Sequence, residues 1–282
     1  MRLKAWLILS IGFLAPAQTQ APAVFEVASV KASRSHSLTG GGRKGADAVD
    51  TPVLEADHLT FRARSVSLFA LIVEAYGLKF CRPFADSCPM VSGGPAWLAK
   101  DVFDVDAKAP SGATGYDTMQ LRNAQAPQLQ ERLRNLLGRR FNLKSHFEKR
   151  ELPVVAFSIA ESGIRMKKAN ANQTPKIVFK PVNQPNGMKA TEVIATNSTI
   201  QELADLYSRF MDRPVIDMTG LTDRFDFTVS YDADTDAQDP FAAVTAPTLF
   251  QAFEKQAGLK LKATRRPVSV LVIDSAARPS PN

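Results

Sequence analysis

Histidine is scarce in this chain. His36, His58 and His146 are the only three, far apart and without HExxH or comparable spacing. Cysteine occurs twice, and two lone cysteines cannot complete a structural zinc site. No Gly-x-Ser-x-Gly elbow is present, so the nucleophile turn of an α/β-hydrolase is excluded. The run Gly40-Gly-Gly-Arg-Lys-Gly45 lacks P-loop spacing and a Lys-Ser/Thr pair, and reads as a hairpin loop. Asp217-Met-Thr-Gly220 has one residue more than the Asp-Thr-Gly of aspartic proteases. Asp232, Asp234, Asp236 and Asp239 suggest a calcium loop, but Ala237 and Ala243 stand where an EF-hand needs Gly and Glu. That stretch reads as a solvated acidic linker. No cofactor and no metal are implied.

Long apolar runs are lacking as well. The one near the start, Ala5 to Leu14, is shorter than the ~20 residues a spanning helix requires. With Arg2 and Lys4 before it and Ala15-Pro16-Ala17 after it, it reads as a signal peptide over residues 1–17. Ala21-Pro22-Ala23 is a second small-x-small site. No cysteine near either site supports a lipid anchor. The mature protein is therefore expected to be periplasmic or secreted, and not membrane-spanning once the signal is removed. In an oxidising compartment Cys81 and Cys88, so close in sequence, are expected to form a disulfide.

The rest of the chain reads as α+β. Val24 to Val30 and Leu54 to Phe61 alternate as strands, and Ser65 to Tyr76 is a helix with Leu68, Leu71, Ile72 and Ala75 on one face. Gly93-Gly-Pro-Ala-Trp97-Leu98 is a turn, and Val102 to Val105 a strand. Pro127 opens a second helix with Leu129, Leu133, Leu136 and Leu137 as its apolar stripe. Phe141, Leu143 and Phe147 alternate, and Pro153 to Ile159 is a further strand. Residues 161–186 form a connection holding one strand, Ile177 to Val182. Thr199 with Glu202 reads as a capping box before a helix that buries Ile200, Leu203, Leu206, Tyr207 and Phe210. Arg213 to Tyr231 is strand, turn and strand, with Phe225, Phe227, Val229 and Tyr231 on one face. Pro247 opens a helix that Gly258 closes. Val268, Val270 and Val272 end the ordered chain before a tail at 275–282.

The second half repeats the order of the first. Leu54, Leu59, Val66, Phe69, Ile72 and Tyr76 match Met188, Val193, Ile200, Leu203, Leu206 and Phe210 at constant offset. Asp101-x-Phe103-Asp104-Val105 mirrors Asp223-x-Phe225-Asp226-Phe227. The reading is two related halves, 24–160 and 187–274. Each is a mainly antiparallel sheet with two helices, in strand–helix–strand–helix–strand–strand order.

Several blocks together carry a family resemblance: Phe25-Glu-Val-Ala-Ser-Val-Lys31, Ser67-Leu-x-x-Leu-Ile-x-x-Ala-Tyr-Gly77, Gly93-Gly-Pro-x-Trp97, Arg213-Pro-Val-Ile-Asp217 with Thr219-Gly-Leu-Thr222, Phe225-Asp-Phe227 and Pro279-Ser-Pro-Asn282. They resemble the soil-associated family of exported proteins, expanded in acidobacteria-type soil bacteria. The resemblance implies membership in a group of unknown function. Similar domains attached to membrane metallopeptidases of the BlaR sensor type imply extracytoplasmic sensing or binding. The Cys81–Cys88 insertion departs from the family pattern, so its disulfide is not implied by it. The helix–strand–turn–strand unit is also similar to the N-terminal domains of secretins and TonB-dependent receptors.

Formal net charge is +7. Basic residues crowd two stretches: Arg132, Arg134, Arg139, Arg140, Lys144, Lys149 and Arg150, then Lys255, Lys260, Lys262, Arg265 and Arg266. A basic face offered by Arg132, Arg139, Arg140, Lys144, Lys262, Arg265 and Arg266 would suit an anionic cell-envelope polymer or an envelope protein. An exported chain without a nucleic-acid motif is not expected to bind DNA or RNA. The sequence thus supports a non-catalytic extracytoplasmic binding or sensing module for anionic envelope material. The alternative is a cell-envelope hydrolase with a site built from scattered Asp and His residues. Asp104 and Asp226 recur in equivalent strands and are expected to lie on the exposed strand face or to accept turn hydrogen bonds. Intact mass of protein recovered outside the cytoplasm should correspond to a start at Gln18 or Val24; an uncleaved Met1 start would overturn the reading of the leader.

Overall fold

The computed structural model describes residues 23–33, 51–170, 172–183, 189–211, 213–232 and 248–279. The expected leader, His36, the Gly40–Gly45 loop, most of the acidic spacer after Asp232 and the Pro247 helix start lie outside them. The strands are β1 (Val27–Ala32), β2 (Val53–Asp57), β3 (Thr60–Ser67), β4 (Val91–Gly93), β5 (Val102–Lys108), β6 (Lys144–Ile159), β7 (Lys167–Lys168), β8 (Lys176–Asn183), β9 (Lys189–Ser198), β10 (Val215–Asp217), β11 (Phe225–Asp232) and β12 (Leu259–Ser275). The helices are α1 (Leu68–Ala75), α2 (Thr118–Arg122), α3 (Pro127–Phe141), α4 (Ile200–Ser208) and α5 (Thr248–Ala252). The fold is mixed α+β with antiparallel-rich sheets.

Among the described residues three four-stranded sheets are present, in orders β1-β5-β3-β2, β10-β6-β12-β4 and β7-β11-β9-β8. The middle sheet is built on one long antiparallel ribbon. β6 and β12 pair from Leu259 opposite Ile159 to Ser275 opposite Lys144. Short parallel strands flank it, β4 on the Leu271–Ile273 end and β10 on the Val155–Phe157 end. The apolar runs and the alternating runs that the sequence shows as separate strands are thus continuous. Pro153 and Pro267 do not break them, and the two prolines sit at neighbouring register positions, opposite Arg265 and Glu151.

Each end of the ribbon enters a different core. Leu271 and Ile273 join Phe61, Leu68, Ile72, Phe103, Leu133, Leu137 and Phe141. Val155, Phe157, Leu259 and Leu261 join Ile200, Leu203, Tyr207, Val229 and Phe253. Phe157, Tyr207 and Phe253 meet edge to face with centroids 5.5–6.4 Å apart, the geometry that aromatic quadrupoles favour.

The outer sheets share a local device. β3 carries a bulge after Ala63, where Ser65 has φ +50, and β9 carries one at Asn197, with φ +44. A left-handed conformation at a non-glycine residue is costly and needs support. Asp104 Oδ1 accepts from the Ser65 N–H at 2.9 Å, and Asp226 Oδ1 accepts from the Asn197 N–H at 2.7 Å. The two aspartates singled out in the sequence therefore hold equivalent bulges.

Several boundaries differ from the sequence reading. Leu54 to Phe61 is a hairpin turning at His58 and Leu59, because His58 adopts φ +47. The first helix starts at Leu68, capped by the Ser67 side chain, and is buried on all sides. The capping box of Thr199 and Glu202 forms, and it opens α4 at Ile200. The caps thus pair Leu68 with Ile200, two residues out of step with the offset read from sequence. Phe210 falls beyond the end of α4 and is half exposed against Phe179, not in the core. Helix α2, with its Asp117–Gln120 capping box, has too short an apolar period to be read from sequence.

Asp104→Ala and Asp226→Ala should each lower unfolding free energy by about 1–3 kcal/mol, the usual cost of stranding a backbone donor. Denaturant titration measures it. A change near zero in both variants would show that the bulges do not depend on the carboxylates.

Candidate functional site

Helix α3 is the platform of a groove that gathers several arginines. Its Leu129, Leu133, Leu136 and Leu137 are buried against the first core. The same helical period places Arg132, Asn135, Arg139 and Arg140 along a neighbouring stripe. The segment Ala23–Ala28, which leads into β1, runs beside this stripe and is tied to it. Asn135 Nδ2 donates to the Ala23 carbonyl at 2.7 Å, and Arg140 Nη2 donates to the Ala28 carbonyl at 2.9 Å. The Ala23 N–H approaches Glu131 Oε1 at 3.4 Å.

Between helix and segment lies a groove of about 450 Å³. Arg132, Asn135, Leu136, Arg139 and Arg140 form one wall, and Val24 to Ala28 form the other. Arg132 is only 5% exposed. It makes a long contact of 3.4 Å to Gln128 Oε1, and its Nε has no acceptor. Arg139 is exposed, and no ion pair among the described residues includes Arg132 or Arg139. Glu26 is the one acidic side chain of the lining. A desolvated guanidinium with an unused donor is suited to receive an anionic oxygen.

The other basic residues singled out in the sequence stand apart from this groove. Lys144 opens β6, opposite Ser275. Lys262 lies opposite Ala156, toward the far end of the same ribbon. At about 3.4 Å per residue this separates Lys144 from Lys262 by roughly 40 Å. Arg265 and Arg266 fall on opposite faces of β12. Arg265 donates to the Glu151 carbonyl, and Arg266 Nε reaches Met218 Sδ at 3.5 Å. Arg132, Arg139 and Arg140 line one groove, whereas Lys262, Arg265 and Arg266 lie near one another on β12 and Lys144 stands at the other end of the ribbon. Arg132 is also a buried lining residue, not a surface one.

A second charged cluster joins the two cores, and sequence spacing carried no sign of it. Glu74 on α1 is 9% exposed, with Arg122 and Arg209 as its charged neighbours. Burial pushes its carboxyl above the usual carboxylate range, and the two guanidinium groups offset part of that rise. Arg209, at the end of α4, donates to the carbonyls of Lys79 and Arg122. Arg82 donates to the carbonyls of Arg209 and Phe210, and Lys79 pairs with Asp205 at 3.2 Å. The Cys81–Cys88 disulfide forms, with Cα atoms 5.4 Å apart, and holds the loop that carries Arg82. The space beside Glu74 is about 10 Å³, room for one water at most. The cluster ties the cores together and has no space for a substrate.

The remaining candidates lie elsewhere. His146 Nδ1 stands 3.0 Å from Asp274 on the exposed end of the ribbon. The His58 carbonyl accepts from the Tyr116 N–H. Asp217 Oδ1 accepts from the Thr219 N–H and hydroxyl, closing the turn before Gly220. No helix among the described residues is long and apolar enough to cross a membrane, and no group of three His, Cys, Asp or Glu among them is placed to hold a metal ion.

Fold and groove together define a mixed α+β protein with an arginine-lined cleft at the edge of its first sheet. Residues 67–276 match a family described as a protein of unknown function, DUF3738, and the chain belongs to that family. The match takes in helix α3 and begins after the Ala23–Ala28 wall. No curated protein and no solved structure matches the chain.

Glu74 supplies a measurable pH dependence. A carboxyl whose value rises on folding binds its proton more tightly in the folded state, so stability falls as pH climbs from the usual carboxylate range through the raised value. Glu74→Gln should flatten the stability–pH slope above the usual carboxylate range. Denaturant midpoints read it, and an unchanged slope would contradict the assignment.

Proposed function

We propose that this protein is a non-catalytic extracytoplasmic binding or sensing module for anionic envelope material, with the α3 groove as its contact site. The observation that carries the reading is the convergence of Arg132, Arg139 and Arg140 on one cleft, with Arg132 Nε buried and without an acceptor. The export signal read in the sequence supports the address, and the disulfide is consistent with it. We place the protein among the soil-associated exported proteins, on the blocks quoted above. We further propose that residues 24–160 and 187–274 are related halves. The matching strand orders of the outer sheets, the second of which draws β7 and β8 from the 161–186 connection, the aligned caps at Ser67 and Thr199, and the two Asp-supported bulges support this. One strand of the β6–β12 ribbon comes from each half.

A hydrolase remains the second reading, and the His146–Asp274 pair is the observation in its favour. Turnover of a peptidoglycan or polysaccharide substrate by pure protein, lost in His146→Ala, would replace the binding reading.

The test is equilibrium binding of the mature protein to labelled poly(glycerol phosphate) and to an acidic polysaccharide. Affinity should fall steeply as ionic strength passes ~0.15 M, where the Debye length is about 8 Å. Arg139→Gln with Arg140→Gln should weaken binding at least about tenfold, since charge-assisted hydrogen bonds are lost. Arg265→Gln with Arg266→Gln should leave it within about twofold, because exposed substitutions outside the groove remove no contact. Equal losses in both pairs would return the site to a diffuse basic surface.

A further inference from the structure

The groove is graded in depth, and the grading bears on what it holds. This inference rests on the binding reading above and narrows its ligand. A diffuse polyanion is met by solvated, flexible cations at a surface. Here the innermost cation, Arg132, is nearly sealed from water, and its Nε donor faces no acceptor among the described residues. Arg140 is anchored by its bond to the Ala28 carbonyl, so its guanidinium is held in place before any ligand arrives. Asn135 has its amide donor engaged by Ala23, which leaves its oxygen as the group able to accept from a ligand hydroxyl. Arg139 stands exposed at the rim.

Charge completes the description. Three guanidinium groups and the carboxylate of Glu26 are the charged groups of the lining among the described residues. A carboxylate ligand would neutralise one guanidinium. A phosphomonoester carries about −1.5 to −2 at neutral pH and three terminal oxygens, enough to engage several guanidinium donors together. The cleft, at about 450 Å³, lies in the range of small-molecule sites, roughly 300–1,000 Å³. It therefore accommodates more than the head. Leu136 and the residues Val24 to Val27 offer wall for a body of glycerol or sugar size.

We infer that the α3 groove is a discrete site for a phosphomonoester head carried on a glycerol- or sugar-sized body, with Arg132 and Arg140 as the inner clamp and Arg139 as the rim contact. Such a head terminates phosphate-bearing polymers and also occurs on lipids.

Calorimetric titration of the mature protein at about 0.15 M salt, close to physiological ionic strength, with glycerol 1-phosphate, glycerate and inorganic phosphate tests the inference. Glycerol 1-phosphate should bind one to one and at least about tenfold more tightly than glycerate, which keeps the body and changes the head. Inorganic phosphate should bind more weakly than glycerol 1-phosphate, because it lacks the body. Arg132→Lys keeps the charge and removes the Nε donor, so it should abolish the preference for phosphate over carboxylate. Should that buried variant fail to fold, Arg139→Gln on the exposed rim gives an independent reading, with a severalfold loss expected. Competition by glycerol 1-phosphate against poly(glycerol phosphate), or against vesicles containing phosphatidic acid, assigns the head to polymer or lipid. Equal affinity for glycerate and glycerol 1-phosphate overturns the inference. So does tight binding of the polymer with no binding of either monomer, although the broader reading then stands. Failure of polymer, polysaccharide and monomers alike removes both.

Discussion

The antiparallel ribbon of β6 and β12 is the element on which the rest of the structure depends. Strand β12 sends buried side chains into both cores, whereas β6 buries Val155 and Phe157 in one and meets the other only through half-buried Leu152. Phe157 and Leu261 seat one core, Leu271 and Ile273 the other, and continuous backbone hydrogen bonding fixes the distance between them. A one-residue slip would turn the core side chains of β12 to the opposite face, so burial at both of its ends pins its register. The parallel strands β4 and β10 cover the ribbon on opposite edges and at opposite ends.

Helix α3 gains its position from this arrangement. Its leucine stripe is held against the first core, and the chain passes through Asn142, in the left-handed conformation, directly into β6. The arginine stripe is therefore carried on a rigid element, and Ala23–Ala28 converts one side of it into a cleft. The seam of Lys79, Arg82, Arg122 and Arg209 works differently. There Arg82 and Arg209 satisfy carbonyls at the ends of α4 and α2, where helical hydrogen bonding runs out, and Arg209 also reaches the Lys79 carbonyl in the turn beyond α1. Glu74 lies beneath these cations, and its burial is tolerated because Arg122 and Arg209 stand beside it.

Much of the local structure was legible in the residues. Four leucines at helical spacing identified α3, and the same period implied which face would carry Arg132 and Arg139. Thr199 and Glu202 announced the start of α4. The closeness of Cys81 and Cys88 implied their bond, and the recurrence of Asp104 and Asp226 pointed to a shared backbone task. Less legible were the strand lengths, since prolines at 153 and 267 read as breaks. In the fold they sit at adjacent places in one ribbon. The exposure of Arg132 was misread for a related reason: its burial comes from a segment more than a hundred residues earlier in the chain.

Sequence by itself determined what depends on neighbours a few residues apart: the mixed α+β class, the capping boxes, the apolar stripe of α3 and the disulfide loop. These signals act through one turn of helix or one pleat of strand, so the residues that send them are close together in the text. Tertiary structure alone decided which charges meet. It brought Ala23–Ala28 across α3 to enclose three arginines, and it set Lys79, Arg122 and Arg209 around Glu74. It also set Lys144 at the other end of the ribbon from Lys262, Arg265 and Arg266, although clustering in sequence suggests one basic surface. Strand pairing converts sequence separation into distance by register, and register is chosen by the buried side chains at the two ends of β12, not by the charged residues between.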